Sequence, residues 1–286
     1  MKLLLCLLVA SSYAYAGKKT EWSPKYQKTD LKVIDKTILK SSGKKSKLSK
    51  TNAKTKKTKI IPSTRLEALF LKAPKNRKHL LTLKSESLKQ AQKAVPTLLK
   101  VIKGKDYPNE NRWVAIYMLG RIMGKKSAPY ISHFAKHPNW MLRLASLKVL
   151  LHLNQKQYTG IFARLLEDES LIVRHQALQN IKAMKIKSLA PYVWKMLYNK
   201  KNYVGMKGER KRNNIIKDAI KTIGDLGFAK AKGPMLKMFK KNKYKDVYSE
   251  LDYSLSRLSN KPSPSGNMAL KKNYWNRMAL KEVTIL

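Results

Sequence analysis

From Thr64 onward, apolar residues return every three or four positions, the spacing of one buried face of a helix. Arg65 to Leu71 and Leu80 to Leu88 each predict a helix, with Pro74 between them. Further on, the pattern repeats. Three segments align without gaps at a period of 31 residues, each marked by an arginine: Arg112, Arg143 and Arg174. Six residues before each arginine stand Asp106, His137 and Asp168. Three residues after it is a small side chain, Ala115, Ser146 or Ala177. Four, seven and ten residues after it are Ile116, Leu119 and Ile122; Leu147, Leu150 and Leu153; and Leu178, Ile181 and Met184. This is a single apolar helical stripe, drawn three times. A fourth copy, Ala219, Ile220, Ile223 and Leu226, arrives late because about 11 residues are inserted before it. A fifth, from Val247 to Leu258, is degenerate, as a terminal repeat of a stack is expected to be.

A second helix precedes each stripe and opens on Pro96, Pro129, Gly160, Pro191 or Pro234. Proline suits a first helical turn because its missing N–H has no intrahelical partner there. Two positions on are Leu98, Ile131, Phe162, Val193 and Leu236; five positions on are Val101, Phe134, Leu165, Met196 and Phe239. All ten are apolar, so each repeat is a pair of helices with facing apolar stripes.

On these residues the chain resembles the HEAT-repeat family in its short HEAT-like form. The resemblance covers roughly residues 94–258 and is carried by VPTLLKVI, RWVAIYMLG and LLEDESLIVRHQALQNI. It implies an all-α fold, an α-solenoid of about five HEAT-like repeats with flexible termini. It also implies that the turn Asp168 and the helix Arg174 knit neighbouring repeats together. His137 departs from that pattern in its own repeat. Repeat scaffolds host many functions, so the resemblance points to architecture more than to activity.

The flanks read differently. Lys2, the apolar run Leu3 to Ala10 and Ala14-Tyr15-Ala16 have the layout of a signal peptide, residues 1–16, cleaved before Gly17. The expected location is therefore extracytoplasmic, periplasmic or secreted. No later stretch is apolar for long enough to cross a membrane. Residues 17–63 hold 15 Lys and three acids and read as a disordered Lys-rich arm. The helical-repeat domain is expected over 64–261. A C-terminal tail, 262–286, is introduced by Pro-Ser-Pro-Ser-Gly.

Charge then narrows the function. The chain has 62 Lys+Arg against 17 Asp+Glu, a formal net charge of +45. Such an excess self-repels and calls for an anionic partner. Most of it is lysine, a hydrated point charge, not arginine with its directional fork. Two runs in adjacent repeats are the candidate binding surface. The first comprises Lys200, Lys201, Lys207, Arg210, Lys211 and Arg212, interleaved with Tyr198 and Tyr203. The second comprises Lys230, Lys232, Lys237, Lys240 and Lys241. The two are expected to merge into one patch. A second basic feature is a ladder on the first helices, Lys100, His133, Arg164 and Lys195.

Catalytic and metal chemistry find little support. Cys6 is the single cysteine and lies in the signal segment. His133 and His137 stand four apart, with no carboxylate near them in sequence and no HExxH pattern. The acidic cluster Glu167-Asp168-Glu169 is explained by the repeat turn. No nucleophile elbow, P-loop or dinucleotide fingerprint occurs. Some HEAT-like proteins are DNA glycosylases that use Trp and Asp, but Trp113, Trp140 and Trp194 do not share a register here.

The expected function is an exported, non-enzymatic helical-repeat adaptor, without cofactor or metal. Its basic surfaces would engage an acidic protein or an anionic envelope polymer, with peripheral attraction to an anionic membrane in addition. The alternative is an extracytoplasmic nucleic-acid-binding protein, and a glycosylase-like enzyme ranks third.

Overall fold

A computed structural model describes residues 61–74, 76–203 and 214–283. The signal segment and nearly all of the basic arm lie outside these residues. Every regular element among those described is helical. The chain forms two compact units, one ending at Gly124 and one beginning at Lys125.

The first unit holds α1 (Arg65–Leu71), α2 (Arg77–Gln90), α3 (Val95–Lys103) and α4 (Asn109–Met123). Thr64 starts α1 by accepting a bond from the Glu67 N–H through Oγ1, as an N-cap does. Leu66, Phe70, Leu83, Leu98, Val101, Ile116 and Leu119 are fully buried at its centre. Asn111 on α4 donates to the Phe70 and Lys72 carbonyls, at 2.7 and 2.8 Å, and so satisfies the free end of α1. Glu67 is a buried carboxylate in this core. It accepts from Tyr107 Oη at 2.6 Å, from Ser63 N and Oγ at 3.0 and 2.8 Å, and pairs with Lys100 Nζ at 2.7 Å. Burial pushes its pKa up, but the bonds from Lys100, Tyr107 and Ser63 outweigh burial and bring it down to about 2.

The second unit is a run of helix pairs. They are α5 (Ala128–His133) with α6 (Trp140–His152), α7 (Thr159–Leu165) with α8 (Leu171–Ala183), α9 (Ala190–Lys195) with α10 (Asn214–Asp225), and α11 (Lys232–Phe239) with α12 (Tyr248–Ser259). The first helices are short and several run on into 3-10 turns, such as Phe134–Lys136 and Met196–Tyr198. Successive second helices, α6, α8, α10 and α12, pack against one another in chain order. This nearest-neighbour stacking is the packing rule of an α-solenoid.

The apolar stripes take the places their spacing predicts. In all four regular copies the residues three, four and seven after the register position are buried, from Ala115, Ile116 and Leu119 to Ala219, Ile220 and Ile223. On the first helices, Leu98, Ile131, Phe162, Val193 and Leu236 are buried, as are four of the five residues at the next apolar position; Phe134 is half-buried. Helices α10 and α12 come closest. A Cβ on Gly224 would stand 2.7 Å from Ser254 Cα, so only glycine fits that crossing. Ser254 Oγ also donates to the Ile220 carbonyl across it, at 2.8 Å.

The turn residues do join repeats, by a relay. Arg143 donates Nε and Nη2 to the two carboxylate oxygens of Asp168 in the next repeat, at 2.6 and 2.7 Å. Its Nη1 holds the His137 and Pro138 carbonyls of its own turn. Arg174 repeats the arrangement one step on. It binds the Asp168 and Glu169 carbonyls and reaches forward to Asn202 Oδ1 at 2.7 Å and the Lys201 carbonyl at 2.9 Å. Asn202 thus does for the fourth repeat what Asp168 does for the third. Where His137 replaces the acid, its Nδ1 accepts the Asn139 N–H within the turn. In the first unit Arg112 caps the Ile102 carbonyl twice, at 3.1 and 2.8 Å.

The flexible tail expected at 262–286 needs correction. Residues Met268–Val283 form a helix, α13, which packs on α11 and α12. Trp275 is fully buried beneath it, and Ala279, one turn on, is buried too. Asp252 on α12 accepts from Trp275 Nε1 at 2.7 Å, from Ser263 Oγ at 2.6 Å and from Lys271 Nζ at 2.8 Å. The last helix pair has no successor to cover its apolar edge, and α13 supplies that cover.

Candidate functional site

The insertion interrupts the chain between Tyr203 and Asn214, the start of α10. Lys207, Arg210, Lys211 and Arg212 lie in it, outside the described residues. The other members of the candidate patch divide. Lys200 is exposed in the turn Lys200–Tyr203. Its neighbour Lys201 pairs with Glu169, and its carbonyl is held by Arg174, so Lys201 belongs to the repeat relay. Lys230 and Lys232 stand at the opening of α11, Lys230 exposed and Lys232 half-buried. Lys237, Lys240 and Lys241 stand at its other end, all exposed.

Lys237 and Lys241 meet the aromatic residues of the preceding repeat at one cleft. Trp194, Tyr198, Tyr203 and Tyr244 line its sides; Leu197, Ile216, Ile220, Met238 and Pro234 complete it. The cleft has a volume of about 320 Å³, at the small end of the range for ligand sites, ~300–1,000 Å³. The cleft brings Lys237 and Lys241 beside Tyr198 and Tyr203, the aromatic residues interleaved in the first run, while Lys201 of that run is tied to Glu169.

Each wall has a local cause. Pro191 opens α9, and Trp194 and Tyr198 follow one turn apart, their rings edge to face with centroids 6.0 Å apart. Val193 and Met196 beside them are buried, which turns Trp194 and Tyr198 outward. Tyr203 is fixed by donating Oη to the Leu197 carbonyl at 2.5 Å. Ile216 and Ile220 are stripe residues of α10 whose edges form the floor. Tyr198 stays 70% exposed at the rim. No carboxylate lines the cleft, and Lys237 and Lys241 have no ion-pair partner among the described residues.

A second polar constellation crosses the second helices. His175 Nε2 on α8 lies 2.8 Å from Asp218 Oδ2 on α10, with Gln179 Nε2 at 3.3 Å from the same oxygen. Burial raises the Asp218 pKa, but His175 and the nearby lysines Lys182 and Lys221 more than offset it, so the group lies below its ordinary value. Two turns on, Asp225 accepts from Tyr253 Oη at 2.7 Å and pairs with Arg257 Nε at 2.9 Å. Lys148 on α6 holds the register position of Gln179 and Lys221 but has no partner among the described residues. Burial pushes its pKa down to about 8. The 31-residue register carries the signal for this seam: the fifth residue after Arg143 and Arg174 is Lys148 and Gln179, a polar position beside an apolar stripe.

The ladder on the first helices is not a row of free cations. Lys100 pairs with Glu67, Arg164 donates to the Ala135 carbonyl at 2.9 Å, and Lys195 lies over the Tyr192 ring, 5.6 Å from its centroid. Trp113 serves packing: it is buried against Tyr117, with ring centroids 4.4 Å apart. No described helix is long and apolar enough to cross a membrane.

No curated protein sequence matches the chain. Among solved structures it is similar to the complex of CpcE and CpcF of phycocyanin lyase from Nostoc sp. PCC7120. The likeness is 13% in sequence identity, with a TM-score of 0.40, over 82% of this chain and 98% of that one. Residues 95–182, from α3 to the end of α8, match the family model for HEAT repeats. Over that stretch, which holds helix pairs, buried stripes and the Arg143–Asp168 link, the chain is similar to HEAT repeats.

Proposed function

We propose that this protein is an exported, non-enzymatic HEAT-repeat adaptor whose basic surface engages an acidic protein or an anionic envelope polymer. The observation that carries the reading is the cleft edge. Lys237 and Lys241 stand without carboxylate partners among the described residues, beside Tyr198 and Tyr203 from the neighbouring repeat. Several of the described acids elsewhere are committed internally: Glu67 to Lys100 and Tyr107, Asp168 to Arg143, Asp252 to Lys271 and Trp275. Cations left over in this way raise the local concentration of anions and speed their encounter. The aromatic side chains beside them also suit a nucleic-acid strand, and that reading stands second.

The deciding experiment is crosslinking of the tagged protein in its own cells, followed by fractionation and identification of what is captured. Acidic proteins or an anionic polymer should be recovered from the envelope or exterior, and a wash at high salt before crosslinking should release them. Capture mainly of nucleic acid, or a protein that stays in the cytoplasm with residues 1–16 attached, would overturn the proposal.

A further inference from the structure

The proposed anionic partner leaves its chemistry open, and the cleft narrows it. We infer that the cleft seats one apolar side chain of an acidic protein segment, with carboxylates on either side of that anchor held by Lys237 and Lys241. The inference rests on the adaptor reading and deepens it.

The argument starts with the apolar lining. Ile216 and Ile220 close the bottom and are already buried, but Trp194, Leu197 and Met238 are half-buried and Pro234 is exposed, so apolar surface of theirs still faces the cleft. An apolar surface of this kind gains only from an apolar group, at roughly 25 cal/mol per Å² removed from water. A phosphate polymer has no such group to offer; a sugar ring offers a C–H face, but its hydroxyls lose their water in a pocket of this size. A nucleobase offers such a group, but its edges carry donors and acceptors that lose their water in the pocket. Strand binding also uses successive platforms along a groove, whereas these aromatic residues converge on one pocket of about 320 Å³. That volume admits a side chain and excludes a helix.

The walls and rim complete the case. Trp and Tyr are the residue types that dominate binding hot spots, since they bury much area with few rotatable bonds. Tyr198, at 70% exposure, is poised to fold over an inserted side chain. Lysine at the rim is a flexible point charge that accepts carboxylates at varied positions, which suits a peptide whose acids flank the anchor.

The test uses the full chain and three fluorescent peptides in which Phe, Leu or Ala stands between glutamates. Polyglutamate and single-stranded oligothymidylate serve as comparison probes, and anisotropy is read at low salt. The Phe and Leu peptides should bind about tenfold tighter than the Ala peptide. Tyr198→Ala should erase most of that preference while leaving polyglutamate binding in place. The pair Lys237→Glu and Lys241→Glu should weaken all three peptides at least tenfold. These three residues are exposed, and an unchanged thermal melt checks that each variant is folded. Equal binding of the Phe, Leu and Ala peptides overturns the anchor while the charge-based adaptor reading survives. Oligothymidylate binding tighter than every peptide and weakened by Tyr198→Ala makes nucleic acid the occupant and overturns the inference. Failure of every acidic probe, polyglutamate included, removes the adaptor reading and the inference with it.

Discussion

The relay at Arg143 and Asp168 and the lysines at the end of α11 belong to the same unit and handle charge in opposite ways. At the relay every polar atom has a use. The Arg143 guanidinium closes a turn of its own repeat and grips a carboxylate of the next, with side chains only 14% and 6% exposed. At the cleft, Lys237 and Lys241 neighbour aromatic rings and, among the described residues, no acid. The first arrangement holds the stack together and offers little to a visitor. The second does little for stability and is open to one. In a repeat protein, then, the informative position is the one where the repeat's own bonding lapses.

That contrast can be broken at several points, and unfolding in urea gives them a common scale. Asp168→Ala strikes the relay and leaves Arg143 largely buried without its carboxylate. It should cost about 3 kcal/mol, and a loss below 1 kcal/mol would mean that the relay is decorative. Gly224→Ala strikes packing with no charge involved. Overpacking against Ser254 should outweigh the ~1 kcal/mol that alanine gains in a helix, for a net loss of about 1–2 kcal/mol. Lys148 sharpens the comparison, being a half-buried cation with no partner among the described residues. Its pKa of about 8 lies below the unfolded value near 10.4. Between those values the unfolded chain holds a proton the folded chain has released, so stability rises with pH across that window. Lys148→Met should remove that rise, and a slope identical to wild type would refute the burial. The smallest effect on stability should come from Lys237→Glu with Lys241→Glu, within about 0.5 kcal/mol, because both side chains are exposed.

How much of this could be read from the chain follows from what each feature depends on. The stripes at Ala115 and its equivalents were legible because one helical face repeats four times. The roles of Asp168 and Arg174 were legible through the family resemblance, although Asp168 turned out to pair with Arg143 of the preceding repeat. Asn202 escaped notice because it stands three residues past the register position of Asp168, displaced by the turn that leads into the insertion. Glu67 is one acid in a basic chain, and only folding brings Tyr107, 40 residues away, onto it. Of the basic patch, sequence could nominate the residues but not sort Lys201, bound to Glu169, from Lys237 and Lys241. Helix α13 was masked by Pro-Ser-Pro-Ser-Gly, which reads as an exit from structure, while its packing depends on the two positions Trp275 and Ala279.

Helix α13 also bears on a question of growth. A stack built from like units has no inherent last member, since each face that receives a neighbour resembles the face that offers one. With Trp275 clamped under Asp252, the final pair carries a helix that is not itself half of a repeat, its outer side mixing Lys271 and Lys272 with the exposed Leu270 and Leu280. The α13 side therefore differs from the face by which one repeat receives the next, as the terminal cap of a solenoid does.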